Sequence, residues 1–327
     1  PYRMLDDAEK AEIGLASETF AIRVGSERID LQSPSEFAEL EERLRAAESR
    51  SGPEVMEVGR GATPPTAALT SAPSWINGTK RMLYLKIDFS DDTGAAFTDA
   101  EIQSGAAATN DYFVANSQGK TTFVASILPS TLRMPKPKSY YETSGSTNGE
   151  LYTAARDAAK VYDAANGGTG AFDPDKYDRW IVLFKRMPAY AFGGQAMLTG
   201  PQVRMNGNIS PGTTYHELGH TQGLTHSHYW IPSGPAPTGA GSHLEYGDPY
   251  DAMGRSGSGP SNHFNVGQKN KLGYLPAEAI ADIGAGGTVR LFRHDHADAS
   301  GLRALRFAPE GLGYELWVEH RRAGPTS

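Results

Sequence analysis

The chain has 327 residues, enough for one large domain with appendages or for two, and enough to bury a sizeable core. A net charge of −7 points away from a nucleic-acid partner, and no apolar run is long enough to span a bilayer. Cysteine is absent, so no disulfide braces the fold and no thiolate of this chain can cover a metal.

Residues 1–50 read as a small β-β-α unit. Thr19 to Val24 and Arg28 to Leu31 are strand-like runs on either side of Gly25-Ser26. Ser33-Pro34-Ser35-Glu36 is a helix start, with Ser33 as N-cap and Glu36 completing a capping box, and the helix is expected to reach Glu48. Residues 51–79 are rich in Gly, Pro, Ser, Thr and Ala and read as a linker. The main body is expected over 80–283. Met82 to Phe89 is a buried strand, Thr98 to Asn116 a helix and Lys120 to Leu128 a strand. Residues 129–148 read as loop. Glu150 to Ala165 is a helix expected to bury Leu151, Ala155, Ala158 and Val161, and Arg179 to Phe184 a strand. Extended runs follow at Gln195 to Leu198 and Gln202 to Met205, then a helix from about Gly212. Strands alternating with helices predict an α+β body with a twisted, mostly parallel sheet. The tail, 284–327, is β-rich and either closes the body or begins a further domain.

The helix from Gly212 carries the chemistry. Residues 216–226 read His-Glu-Leu-Gly-His-Thr-Gln-Gly-Leu-Thr-His, the pattern H-E-x-x-H-x-x-G-x-x-H. His216 and His220, four apart, share one helical face and can reach one ion. Glu217 lies about 100° round the helix from His216, off the ligand face but placed to act on a water there as general base. Gly223 accepts a left-handed backbone, so the chain can turn and return His226 as third ligand. Three histidines and an open position are the catalytic form of a zinc site, whereas structural sites are closed by four protein ligands.

Residues 245–254 read Glu-Tyr-Gly-Asp-Pro-Tyr-Asp-Ala-Met-Gly. With the histidine motif upstream, this stretch resembles the Met-turn of the metzincin zinc endopeptidases, and Met253 matches the methionine that lies beneath the three ligands. The chain is most similar to the gametolysin-like metalloproteases and their bacterial relatives, through 216–226, 245–254 and His263 to Leu275 (HFNVGQKNKLGYL). The resemblance covers about 80–322. It implies a metzincin-like catalytic domain with an active-site helix and a Met-turn subdomain. It also implies an edge strand that pairs with substrate, for which Gly194 and Ala196 are the candidates. Several metzincin families place a Tyr two residues after the Met, where this chain has Arg255, so Tyr246, Tyr250 and Arg255 stand as candidates for contact with the transition state or substrate.

The function expected is that of a secreted or extracytoplasmic zinc endopeptidase acting on protein or glycoprotein substrates, with zinc-activated water and Glu217 as base. A catalytically silent binding module, or a zinc hydrolase of a non-peptide amide, is the alternative. With the endopeptidase reading, residues 1–50 and their linker to 79 are expected to form an intramolecular pro-segment, the alternative being an accessory unit, with Asp6, Asp7 and Asp30 among the groups able to supply latency. A calcium site at Asp88, Asp91 and Asp92 is weaker than a solvated turn there. His228, His243 and His263 are expected to be structural or pocket residues, and His294-Asp295-His296 a surface loop. Asn77 and Asn208 match glycosylation acceptors.

Overall fold

The computed structural model describes residues 20–24, 27–31, 73–142, 148–235, 240–254, 263–282, 290–296, 301–307 and 315–321. The helix expected at 33–48, most of the linker, Asp6, Asp7 and Arg255 lie outside these residues. Strands β1 (Phe20–Val24) and β2 (Glu27–Leu31) pair antiparallel, with Asp30 opposite Ala21.

The body opens with a short helix α1 (Pro73–Ile76) and β3 (Gly78–Asp88). Helix α2 (Asp99–Ser117), β4 (Thr121–Ile127), β5 (Leu132–Arg133), α3 (Lys138–Glu142) and α4 (Asn148–Ala165) follow. Then come β6 (Arg179–Phe184), β7 (Gly194–Ala196), β8 (Gln202–Asn206) and helix α5 (Pro211–Thr221). The central sheet has the order β4-β3-β6-β8-β7, with β5 paired to β3. Its pairings are parallel except β7 with β8, so β7 is an antiparallel edge strand. Residues 73–79, read as the end of the linker, are part of this body: Ile76 is 2% exposed in the core and β3 starts at Gly78.

Both faces of the sheet are covered at its centre, which is why β3 and β6 carry near-continuous apolar runs. Met82, Tyr84, Ile181 and Leu183 point to one core, with Ile102, Phe113, Tyr215 and Leu218 from α2 and α5. Leu83, Leu85, Val182 and Phe184 point to the other, with Leu151, Tyr152, Ala155 and Ala159 from α4. Val161, expected on the buried face of α4, is 70% exposed instead. At 100° per residue it falls about 80° off Leu151, on the side away from Tyr152 and Ala159.

Helix α2 holds α5 in place. Thr98 and Glu101 form its capping box, and the Tyr112 ring stacks on Tyr215 of α5 at 3.7 Å and 8°. At its far end, α5 is tied to α1 and β6. Arg179 gives Nε to Thr221 Oγ1 at 2.7 Å, its guanidinium lies 3.8 Å over the Trp75 ring, and Trp75 Nε1 donates to the Thr221 carbonyl at 2.7 Å.

Beyond α5, β9 (Tyr229–Pro232) and β10 (Gly241–Leu244) form a hairpin, followed by α6 (Val266–Lys271). Strand β11 (Ile280–Asp282) then pairs parallel with β12 (Ala304–Phe307), which pairs antiparallel with β13 (Leu316–Glu319). The run expected as a strand at 288–292 is irregular over 290–292. The end of β13 and the chain after it touch the body directly: Glu319 accepts from Val266 N at 2.8 Å, and Arg321 donates to the carbonyls of Tyr250 and His263 (2.9 Å to the latter). His294 and Asp295 are buried at 2% and 7%, against the expectation of a surface loop. The His294 carbonyl is needed inside, where it accepts from the buried Lys269 Nζ at 3.0 Å.

Candidate metal centre

Helix α5 begins where Ser210 accepts from Thr213 N and Pro211 occupies the first turn. Asn208 is spent on the same corner, donating to Thr213 Oγ1 at 2.9 Å and accepting from Ser210 N at 2.8 Å. The helix ends in a Schellman turn: Gly223 N donates to the His220 carbonyl at 2.9 Å and Leu224 N to the Gly219 carbonyl at 3.0 Å. Gly223 has φ +95°, so the break read from the sequence occurs at that residue.

This turn returns His226 to the face that carries His216 and His220. Their ligand atoms all lie within 4.8 Å of one another, and His216, Glu217, His220 and His226 are 5%, 1%, 2% and 8% exposed. Each Nδ1 meets an acceptor. His216 faces the Ala252 carbonyl at 2.7 Å, His220 the Leu224 carbonyl at 2.8 Å, and His226 the Glu245 carboxylate at 2.8 Å. Carbonyls and carboxylates only accept, so Nδ1 carries the proton and Nε2 the lone pair. The Nε2 atoms of His216 and His226 both stand 3.1 Å from Nε2 of His220. Three converging lone pairs repel, and a cation relieves that. Nitrogens around a tetrahedral zinc are about 3.3 Å apart, so the donor set fits such an ion. Burial, and then His216 and His226 beside it, hold the His220 pKa well below the usual imidazole value, which keeps the ring neutral.

Glu217 lies under the edge strand. A Cβ on Gly194 would fall 2.7 Å from Glu217 Cγ and 2.8 Å from its Oε1, so only glycine lets β7 pass this close. The Ala196 side chain is in the core at 2% exposure, which leaves backbone as its route to any ligand. Met253 is fully buried; a Cβ on Gly219 would meet its Sδ at 2.5 Å, and its carbonyl accepts from Ser227 N at 2.8 Å. Met253 and α5 are therefore in direct contact at Gly219.

Of the candidate contacts, Tyr246 is brought to the site, its ring 3.9 Å from that of His226. Tyr250 is 36% exposed, with its carbonyl taken by Arg321. His228 and His243 stay with the β9–β10 hairpin, where His243 packs on Trp230 at 4.8 Å, and His263 is buried against Lys269. Asp88, Asp91 and Asp92 are occupied by Arg133, by the amides of Lys138 and Ser139, and by Lys138 and Lys185. Ion pairs and caps thus take the groups considered for calcium. A cleft of about 460 Å³ lined by Tyr152, Arg156, Asp175 and Trp180 belongs to the α4 side of the sheet, away from the histidines. Sequence reading missed the residues that orient the three histidines, namely Glu245 and the carbonyls of Leu224 and Ala252. Glu245 adjoined a motif already in view; the two carbonyls leave no mark on side-chain pattern.

The fold and site define a mixed α+β protein with a parallel-rich sheet and a buried three-histidine group able to hold a metal ion. No protein-family model matches the chain, and no curated protein matches it. Among solved structures it is similar to metalloproteinase-II from Bacteroides fragilis, at 15% identity and a TM-score of 0.39, over 78% of this chain and 74% of that one. What the centre can do is therefore read from its own residues.

Proposed function

We propose that the chain is a zinc-dependent endopeptidase of metzincin type, with His216, His220 and His226 as ligands, Glu217 as general base and Met253 as the floor of the site. One observation carries the reading: three Nε2 lone pairs, their Nδ1 protons already committed, converge on α5 and its return, with the buried Glu217 next in sequence to His216. Zinc bound there supplies a Lewis acid for the scissile carbonyl and lowers the pKa of water towards about 7. Glu217 takes the proton of the attacking water on its carboxylate and delivers it to the leaving amine. Its neighbour β7 offers an edge for an extended peptide to add to, and Gly194 keeps that edge close to Glu217. Tyr246, beside His226, is the group best placed to meet the tetrahedral oxyanion. The reading includes action outside the cytoplasm and latency imposed by the N-terminal segment read over residues 1–79, both on sequence pattern alone.

Glu217→Ala is the direct test. The variant keeps its zinc, while casein hydrolysis falls by about 10²–10⁴-fold, the share general acid–base catalysis ordinarily supplies. Chelation abolishes wild-type hydrolysis and added zinc restores it. Turnover retained by Glu217→Ala, or unaffected by chelation, defeats the assignment.

A further inference from the structure

The three ligands are not held alike. His216 and His220 stand on one helix and give Nδ1 to main-chain carbonyls, at Ala252 and Leu224. His226 lies past the Gly223 turn, where α5 cannot orient it. Its Nδ1 meets the Glu245 carboxylate instead, and the Tyr246 ring lies against the same imidazole. Consecutive residues of an extended chain point to opposite sides, so leaving β10 in extended form would send one of the two away. Tyr246 has φ +57°, the left-handed region, which is strained for a non-glycine residue. That bend lets both residues reach one ring. The strain is offset by what the bend aims at the ligand.

We propose that Glu245 is a positioning residue for the third histidine, and that it sets how tightly the metal is retained. The proposal rests on the zinc reading above. A carboxylate accepts a stronger hydrogen bond than a neutral carbonyl, fixes the tautomer and makes the imidazole a better donor to a cation. Glu245 follows directly on β10, and its side chain is 63% exposed. Metal retention is thereby coupled to the β9–β10 return, a feature of this chain that α5 alone does not supply.

Chelator competition on the zinc-loaded protein tests this. Glu245→Ala should hold zinc about 10–100-fold more weakly than wild type. Glu245→Gln, which keeps an acceptor but not the charge, should fall between them. Ser242→Ala, exposed on the same hairpin, should match wild type, and the zinc-free proteins should melt together. Glu245→Ala within about threefold of wild type, or Ser242→Ala as weak as Glu245→Ala, overturns the proposal while leaving the zinc site intact. A wild-type protein that retains no zinc overturns the zinc reading and this proposal with it.

Discussion

Gly223 shows how one residue divides a helix from the histidine that must return to it. Alanine is favoured over glycine inside a helix by about 1 kcal/mol. At φ +95° the comparison reverses, since a Cβ there costs about 1–3 kcal/mol and the Schellman turn gives Leu224 the carbonyl that aims His220. Gly223→Ala should therefore lower stability by about 1–3 kcal/mol and weaken zinc binding together. Thermal melting and chelator competition measure the two. A variant equal to wild type in both would show that α5 can continue and His226 still return. Gly223 was legible in the sequence because its role is local: a helix must end between two histidines six residues apart. Glu245 was not, because its partner His226 lies 19 residues away and nothing in spacing says which carboxylate of a polar stretch turns inward.

At the scale of elements, the sheet was legible and its fastenings were not. Apolar runs at 82–89 and 179–184 announce strands buried on both faces, and α2 announces itself by Thr98 and Glu101. What holds the edge strand over Glu217 is Asn206, the last residue of β8. Its Nδ2 donates to the carbonyls of Met187, Tyr190 and Phe192 at 3.1, 3.3 and 2.9 Å, and its Oδ1 accepts from Met187 N at 2.6 Å. An Asn closing a strand looks like a turn signal, so its burial at 0% exposure had no sequence mark. Arg204, also fully buried, lies beneath the same loop among the rings of Tyr152, Tyr190 and Phe192. Asn206→Asp is nearly isosteric but faces three carbonyls with a carboxylate and removes both donors. Each buried group left unsatisfied costs about 1–3 kcal/mol. The variant should lose at least about 2 kcal/mol and, where it still folds, show faster amide exchange through 187–196 than elsewhere in the sheet. Uniform exchange, or wild-type stability, would mean that β7 is held by other contacts.

Across the whole molecule, distant pieces of chain meet at one buried amine. Lys269 of α6 donates to His263 Nδ1 at 3.0 Å and to the His294 carbonyl at 3.0 Å, with Arg321, Glu319, Asp295 and Arg303 acting on its charge. Burial, and then the Arg321 guanidinium, push its pKa from 10.5 down to about 7. An unfolded chain returns that amine to its ordinary value. Between about pH 7 and 10.5 the unfolded state therefore binds more protons than the folded one, and stability rises with pH by at most about 1.4 kcal/mol per unit. His263 and His294, pushed down by burial to about 2 and about 4, act in the same direction at lower pH, as both stay neutral in the fold and gain protons on unfolding below about 6.5. Zinc loss from protonated ligands would overlay that acid limb, and ionisation of the buried Tyr84 and Tyr274 upon unfolding opposes the trend above about pH 10. The clean window is pH 7 to 9. Lys269→Met keeps side-chain length without the titrating amine and leaves His263 Nδ1 and the His294 carbonyl without that donor, an offset that does not vary across the window. Chemical denaturation of the zinc-loaded proteins at pH 7, 8 and 9 should show the wild type gaining on Lys269→Met as pH rises. Parallel curves would mean that Lys269 keeps its proton in the fold, and that the junction of α6, the 290–296 segment and the chain after β13 is an ion-pair network at neutral pH.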